Sequence, residues 1–424
     1  MKKISFLILF CLVSKNIFAQ KTFQTKIFDS NIKTLQVLVD NKPLELPVIE
    51  LNSNDRIKIS FDEMSYSSKS FNYKIFHCNA DFAQSVLFEN EYIDGFYSGI
   101  INDFALSENT LTLYANYQFF LPNDDFSFKV SGNYAVIIYE DNNIEKPVAT
   151  ARFSVVEPVI QIVNMKVLAN TDIEFNGRFQ QVEFEIDNSY FPISNVFQEL
   201  NVSVFQNRRT DNAAINIKPT FTALYKQTYN HNRALIFEGG NQYRLADFSS
   251  EYAFSGEVDK IRKEDEYYNV FLFPAENRAE MSSPNSGGDA DGRFLINRRG
   301  YDDADITADY MWLHFILPAK MPFADGDIYL LGDLTSNIFD RNSKLDYDSQ
   351  MQLYHKALFL KQGGYSFLYA FVPKNAQNTQ KPQPILQKIE GSYWQTENEY
   401  SVFVYYRAFA DRFDRLIGVK CAKF

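Results

Sequence analysis

Apolar and polar residues alternate with a period of two in many short segments of this chain. Early examples are residues 35–39, 56–61 and 71–76, and Asp40-Asn41 supplies a turn after the first of them. Alternation of this kind, bounded by Asn, Asp, Gly and Pro, is typical of antiparallel strands with one buried face. No segment keeps an apolar period of 3.6 residues, so we expect few helices. The pattern therefore predicts an all-β protein.

The spacing of the predicted strands indicates several sandwiches in series. Pro158 marks the first boundary, because proline cannot donate to a strand ladder and extends the residue before it. We expect an N-terminal β-sandwich over residues 20–157 and a middle β-sandwich over residues 158–308. The middle segment holds a long polar loop at 274–292, and a C-terminal, early-set-like β-sandwich fills 309–424. The predicted fold class is a series of antiparallel, immunoglobulin-like or early-set β-sandwich domains.

The first residues have the layout of a secretory signal peptide. Lys2 and Lys3 precede an apolar run over residues 4–13, and Ala19 offers a small residue at the cleavage point. The run of about 10 residues is shorter than the roughly 20 that a membrane-spanning helix needs. A buried N-terminal strand or helix is the alternative. We expect residues 1–19 to be a signal peptide that directs export.

The cysteines argue against a lipid anchor and against a disulfide framework. Cys11 follows the bulky Phe10 inside the apolar run, whereas a lipid-modified cysteine follows a small residue and ends its signal. After cleavage only Cys78 and Cys421 remain. A bridge between them would cross several domains, so two separate thiols are the simpler expectation.

Charge and aromatic content narrow the class of partner. The formal net charge is -11, and loss of the three lysines of the signal peptide makes it -14. So acidic a chain gains no counterion-release free energy from phosphates, which disfavours nucleic acid and anionic membrane surfaces as partners. The 40 Phe and 26 Tyr residues favour strands, on which flat rings pack well. We therefore expect a protein partner.

Residues that carry chemistry are sparse, and none forms a recognisable catalytic, cofactor or metal motif. Neither a nucleophile elbow nor a phosphate-binding glycine loop is present. Residues 289–292 resemble half a calcium loop, but Gly292 comes too early and Arg293 follows. The acids within 301–305 fit either a cation site or a solvated loop. A glycosidase-type carboxylate pair stays open, since any of many acids could form one. Four scattered histidines are expected to be structural: His77, His231, His314 and His355.

The third segment suggests a second function. Residues 326–333 and 361–372 resemble the early-set sandwich of glycogen-binding modules. Those modules stack exposed tryptophans on sugar rings, but residues 335–337, where such a tryptophan is expected, are Thr-Ser-Asn. Trp312 alternates within a strand and is expected in the core. The alternative function is therefore a carbohydrate-binding protein of the cell envelope.

The chain contains several unusual local motifs. They are Phe76-His77-Cys78-Asn79-Ala80-Asp81, Glu91-Tyr92-Ile93-Asp94-Gly95-Phe96, Ser131-Gly132-Asn133-Tyr134 with Tyr139-Glu140-Asp141 and Lys146-Pro147-Val148, Phe237-Glu238-Gly239-Gly240-Asn241-Gln242-Tyr243-Arg244, and Asp411-Arg412-Phe413-Asp414-Arg415-Leu416-Ile417-Gly418-Val419. Together these segments resemble the plug proteins of the type IX secretion system, and the resemblance extends from about Ile32 to Val419.

The resemblance implies a non-enzymatic periplasmic protein without a cofactor. Such a protein binds the periplasmic opening of the outer-membrane translocon barrel, closes it when no cargo is present, and stays peripheral to the membrane through this partner. A rigid body and a matching surface are the physical requirements.

The segment from Glu91 to Phe96 is the candidate contact. It carries two aromatic and two acidic side chains, Glu91, Tyr92, Asp94 and Phe96, around a glycine. A packed Ω-like loop is the alternative for this segment. The alternating acids and arginines of 411–415 are expected to form ion pairs that hold down the chain end.

Overall fold

The computed structural model describes residues 22–285, 287–376 and 383–424. The expected signal peptide and Cys11 lie outside these residues. The described chain consists almost wholly of strands in sheets of four to six strands plus one two-stranded ribbon, with a few single-turn helices. The predicted class of an all-β protein with antiparallel sandwiches is confirmed, since nearly every strand pair is antiparallel.

The first sandwich consists of two sheets that enclose one apolar core. One sheet has the order β1-β12-β11-β5-β7 with β3 beside β12, the other has the order β2-β4-β9-β8, and β6 and β10 form a small ribbon. Alternate side chains of β4 and β5 meet between the sheets, and the rings of Phe61 and Phe71 pack edge to face at 5.1 Å. The elements are β1 (Lys26–Ile27), β2 (Ile32–Val39), β3 (Val48–Glu50), β4 (Ile57–Glu63), β5 (Phe71–Cys78), α1 (Glu89–Tyr92), β6 (Ile93–Gly95), β7 (Ser98–Ile101), β8 (Asp103–Leu106), β9 (Ala115–Leu121), β10 (Phe126–Phe128), β11 (Gly132–Glu140) and β12 (Pro147–Val156).

The second sandwich begins directly after the first. One of its sheets has the order β13-β14-β18-β17 with β19 beside β14, and β15 pairs with β16 in the other. The elements are β13 (Gln161–Ala169), β14 (Phe179–Asp187), α2 (Val196–Glu199), β15 (Leu200–Gln206), β16 (Ala214–Ile217), β17 (Phe221–Ala223), β18 (Lys226–Tyr229), a 3-10 turn (Arg233–Leu235) and β19 (Ile236–Glu238).

The third sandwich follows before the second is complete. Its sheets have the orders β21-β20-β29-β24, with β26 beside β29, and β22-β23-β25-β28-β27. The elements are β20 (Arg244–Asp247), β21 (Ser255–Gly256), β22 (Val258–Glu264), β23 (Tyr267–Leu272), β24 (Phe294–Ile296), α3 (Ala304–Thr307), β25 (Tyr310–Pro318), β26 (Gly326–Leu331), a 3-10 turn (Asp333–Thr335), β27 (Asp346–Asp348), β28 (Leu353–Lys361) and β29 (Gly363–Pro373).

The last two strands, β30 (Glu399–Tyr406) and β31 (Arg415–Lys423), return to the second sandwich. β30 pairs with β15 from Leu200↔Tyr406 to Gln206↔Tyr400, which gives the sheet order β16-β15-β30-β31. The pairing of β20 with β29 and of β23 with β25 likewise crosses residue 309, where the sequence suggested a boundary. Alternation identifies a strand but carries no information about its partner.

We propose that the chain is nested rather than strictly serial. The first unit is 22–157. The second unit is 158–243 together with 399–424, and the third unit is 244–398, inserted between the two parts of the second. The strand pairing supports this division over the expected boundary at 309.

Trp312 does not lie in the core, contrary to expectation. Its side chain is 37% exposed on the outer face of β25, whereas Met311 and Leu313 are fully buried. The phase of the alternation was therefore misjudged by one residue, which in a strand moves a side chain to the opposite face.

Candidate functional site

The candidate contact segment from Glu91 to Phe96 lies within residues 86–97, which include α1 and β6 and are called the 86–97 loop below. The buried side chain of Tyr92 fixes the base of this loop. The Tyr92 side chain is 3% exposed, and its hydroxyl donates to the carbonyl oxygen of Ile75 at 3.0 Å. Gly95 has a φ of 106°, and a Cβ there would lie 2.2 Å from the carbonyl oxygen of Asp125. Tyr92 thus anchors the loop and presents no surface to a partner, although the sequence analysis included it among the contact candidates.

The outer side of the 86–97 loop is apolar. Phe96 is 70% exposed, Phe88 68% and Val86 61%, and Asp94 is exposed beside them. The sequence analysis identified Phe96 and Asp94 but missed Phe88 and Val86. The signal was present, because the half-buried Leu87 separates two exposed apolar side chains with strand-like alternation. Large exposed apolar side chains on an anchored loop are typical of sites that contact another protein.

Glu91 connects this loop to the end of the chain. Its carboxylate accepts from the Phe88 N–H at 2.7 Å and pairs with the guanidinium of Arg412. The Phe88 hydrogen bond, followed by the pairing with Arg412, lowers the pKa of Glu91. Glu91 therefore links the loop to the segment that precedes β31.

His77 lies beneath the loop among aromatic rings. Its ring centroid is 5.1 Å from that of Tyr134, 5.2 Å from Phe413 and 5.8 Å from Tyr92. Its Nε2 lies 3.3 Å from the carbonyl oxygen of Ser131, to which it donates. Burial lowers the pKa of His77 to about 4, so the ring is neutral at pH 7.

An amide network adjoins His77 and joins the first unit to the second. The Asn133 amide nitrogen donates to the carbonyl oxygens of Asn79 at 3.0 Å and Ala80 at 3.3 Å. Its amide oxygen accepts from the hydroxyls of Ser154 at 2.7 Å and Tyr405 at 3.1 Å. All the hydrogen-bonding capacity of this buried side chain is used.

Charged side chains also contribute to this interface between the first and second units, and such an interface between two units is called a joint below. The Asp414 carboxylate accepts from the Ala80 N–H at 2.9 Å and lies 2.8 Å from Nε of Arg407, which also donates to the Asn79 side chain at 2.6 Å. The family-like segments 76–81, 131–134 and 411–419 are distant in sequence, yet they meet here. Their unusual composition therefore reflects a joint between units.

The segment 237–244 forms another joint. Gly239 touches the backbone of Tyr393, because a Cβ there would lie 2.1 Å from the Tyr393 carbonyl oxygen. Arg244 and Arg278 enclose the fully buried carboxylate of Glu390, with nitrogen–oxygen distances of 3.1 and 2.7 Å. Two guanidinium groups hold the pKa of Glu390 below its usual value even though burial acts to raise it.

A buried ion pair joins the first unit to the third. Asp62 and Lys361 are at most 1% exposed and 2.7 Å apart. The Asp62 carboxylate also accepts from the Tyr310 hydroxyl at 2.6 Å and from the Asn116 amide at 2.7 Å. Burial is the largest influence and raises the pKa of Asp62, although Lys361 opposes it. Sequence reasoning missed this pair.

The two acidic segments considered for cations instead bind the protein's own groups. Asp305 pairs with Lys58 at 2.6 Å, and Asp291 pairs with Arg293 and Lys423, both at 3.1 Å. Over 22–285, 287–376 and 383–424, no three His, Cys, Asp or Glu side chains are arranged to hold a metal ion.

The aromatic rings on the outer face of the third unit do not form a flat platform. Phe359 meets Trp312 at an interplanar angle of 39° and Tyr267 at 90°. Phe271 and His314 stack on one another at 11°. Sugar stacking needs rings in one plane, so this geometry does not favour the carbohydrate-binding alternative.

Comparisons with known proteins agree with the motifs. The family model described as type 9 secretion system plug protein first domain matches residues 32–157. The crystal structure of a hypothetical protein from Parabacteroides merdae ATCC 43184, at 2.30 Å resolution, is 41% identical, with a TM-score of 0.90 over 96% of this chain and 100% of that chain. Alkylpurine DNA glycosylase AlkC of Pseudomonas fluorescens, bound to DNA containing an abasic site analog, is 13% identical over 30% of each chain, and its TM-score of 0.15 carries no argument. No curated protein matches the chain. Through its first domain, the chain belongs to the type IX secretion system plug protein family.

Proposed function

We propose that this protein binds the periplasmic opening of the type IX outer-membrane translocon barrel and seals it without catalysis. Family membership associates the chain with type IX secretion and suggests a periplasmic or envelope location and a non-catalytic role. The seal itself, and a position peripheral to the outer membrane through the barrel protein, are our proposal. Within the described residues no helix has the length and apolarity to cross a bilayer.

The joints between units support the mechanical part of the proposal. A plug must cover an opening without bending. The Asn133 network joins the first and second units, and the Asp62–Lys361 pair joins the first and third. Close-packed cores joined by satisfied polar groups resist relative movement.

The contact part is carried by one observation: Phe88 and Phe96 are exposed on a loop whose base is fixed by Tyr92. Aromatic side chains and arginine are enriched at the centres of interfaces, and Arg412 lies beside them through its pairing with Glu91. Since the loop is fixed before binding, little conformational entropy is lost on contact.

The test is affinity purification of the tagged protein from gently solubilised envelopes, with mass spectrometry of what accompanies it. We expect a very large outer-membrane barrel protein with the native chain. The double variant Phe88→Ala/Phe96→Ala is expected to lose it, since hot-spot residues contribute about 2 kcal/mol or more each. Phe221→Ala is the matched control, because Phe221 is 65% exposed on an edge strand of the second unit.

Two results would count against the proposal. Absence of a barrel with the native chain contradicts the plug function, and recovery of glycan alone would favour the carbohydrate-binding alternative. Equal recovery with the double variant would place the contact away from the 86–97 loop. Tyr92→Ala is unsuitable as a contact test, because it leaves a cavity in the core.

A further inference from the structure

Strand β8 is an open edge of the first unit. It is the outermost strand of its sheet and, in the part of the chain that the structure describes, pairs only with β9, from Asp103↔Gln118 to Leu106↔Ala115. All four of its side chains are exposed. In an antiparallel ladder alternate residues direct their N–H and C=O groups away from the partner strand. This edge therefore offers backbone groups to another strand.

The composition of β8 protects this edge only weakly. Natural edges are usually blocked by lysine, other charges or proline. The edge strand β22 follows this rule, with Lys260, Arg262, Lys263 and Glu264 among its seven residues. β8 reads Asp-Phe-Ala-Leu, so Asp103 is its single charge, and Phe104 and Leu106 are 42% and 40% exposed. A mainly apolar edge of this kind is consistent with a docking function.

The two faces of β8 differ in chemistry. Phe104 lies on the core side and stacks on Tyr117 at 5.3 Å. On the opposite face, Asp103 and Ala105 line a cleft of about 260 Å³ between the first and third units. The cleft is also lined by Asp303, Asp305 and Lys58. Lys58 pairs with Asp305, and within the described residues no lysine or arginine pairs with Asp103 or Asp303.

We propose that β8 binds an extended segment of a partner protein in which apolar side chains alternate with arginine or lysine. Backbone pairing with β8 would supply affinity. The apolar side chains would cover Phe104 and Leu106, and the basic side chains on the other face would enter the acidic cleft. A segment of this composition complements both faces of the strand.

A second copy of this chain fits less well. Self-pairing would bring two acidic clefts close to one another, on chains that each carry a net charge of -11. Like charges placed opposite one another destabilise strand pairs. The occupant is therefore a basic segment, and the inference stands independently of the plug function because it uses no residue of the 86–97 loop.

The test uses the purified chain and a labelled synthetic peptide in which valine alternates with arginine, followed by fluorescence anisotropy. We expect saturable binding that weakens with added salt, because exposed charges are screened. Ala105→Lys places an ammonium group in the cleft and a blocking lysine on the edge, and it should weaken binding about tenfold or more. Ala223→Lys is the matched control, because Ala223 is also exposed on an edge strand, and it should bind as the native chain does.

Three results would overturn the inference. The first is a failure to saturate by about 1 mM peptide, which corresponds to a binding free energy of only about -4 kcal/mol. The second is equal binding of a peptide in which valine alternates with glutamate. The third is binding to the Ala105→Lys variant that is as strong as binding to the native chain. Far-ultraviolet circular dichroism of each variant verifies the fold. The Phe88→Ala/Phe96→Ala variant should bind the peptide normally, so failure here and failure of the proposed function are separable.

Discussion

The first unit meets the second and third units through joints of opposite character. Towards the second unit, Asn133 and its neighbours form a network of neutral groups, next to the partly exposed Arg407–Asp414 pair and with the Glu91–Arg412 pair at its margin. Towards the third unit, the fully buried ions Asp62 and Lys361 face each other. Both joints fix the relative position of two sandwiches.

The difference lies in what a single change leaves behind. Loss of one member of a neutral network leaves an unsatisfied polar group, whereas loss of one buried ion leaves an uncompensated charge. The joint with the third unit should therefore be the more sensitive to single substitutions. The joint with the second unit should be more tolerant, but sensitive to pH through His77. Three experiments examine this contrast, from the largest effect to the smallest.

Asp62→Ala is expected to lower the free energy of unfolding by about 3–5 kcal/mol, because Lys361 remains buried without its carboxylate. Chemical denaturation measures this. The double variant Asp62→Leu/Lys361→Met should recover the part of the loss that comes from the uncompensated charge, while the Tyr310 hydroxyl and the Asn116 amide stay without this acceptor. Asp305→Asn is the control within the same joint: its pair with Lys58 is partly exposed, so about 1 kcal/mol or less is expected. A small effect of Asp62→Ala would remove the contrast between the two joints.

Acidification should lower the free energy of unfolding through protonation of His77. The pKa of His77 is about 4 in the folded protein, below about 6.5 in the unfolded chain, so between these values the unfolded chain binds the proton and the folded one does not. Stability is therefore lost as pH falls, by about 2 kcal/mol between pH 7 and pH 5. Denaturation curves at both pH values should show this component in the native chain and not in His77→Gln.

The exposed His355 supplies the control for that experiment. His355→Gln should keep the pH dependence of the native chain. If His77→Gln shows the same loss between pH 7 and pH 5 as the native protein, the buried histidine is not the source.

Arg412→Ala should leave the unfolding midpoint unchanged within error. The Glu91–Arg412 pair is 33% and 49% exposed, and exposed pairs contribute little because water and salt screen them. The measurement is thermal unfolding at low and at high salt. A clear loss of stability, present at both salt concentrations, would show that the margin of the first joint carries as much weight as its centre.

Much of the fold could be predicted, because alternation is a local property. The strands expected over residues 35–39, 56–61 and 71–76 are β2, β4 and β5, and each predicted boundary lies within three residues of the observed one. Pairing was not predictable, since β15 finds β30 only after the entire third unit has intervened. Tertiary proximity of that kind leaves no trace in a period-two pattern.

The candidate site was predictable only in part, for a related reason. The sequence showed an aromatic and acidic loop but not which ring points inwards. Composition alone makes Tyr92 and Phe96 equal contact candidates, whereas in the structure Tyr92 is buried and Phe96 is exposed. The buried position of Asp62 could not be predicted from the sequence. It alternates with apolar residues of β4 like any solvent-facing residue, and only the docked third unit buries it.

The nested topology also governs when the molecule can be completed. A chain grows from its N-terminus, so the first and third units possess all their strands before residues 399–424 exist. Until then the side of β15 that β30 later occupies stays unpaired, and Tyr405 is not yet available to Asn133. An interrupted chain would expose an apolar strand edge that proteases and chaperones recognise. Residues 399–424 thus make folding of the second unit conditional on synthesis of the chain beyond the third unit.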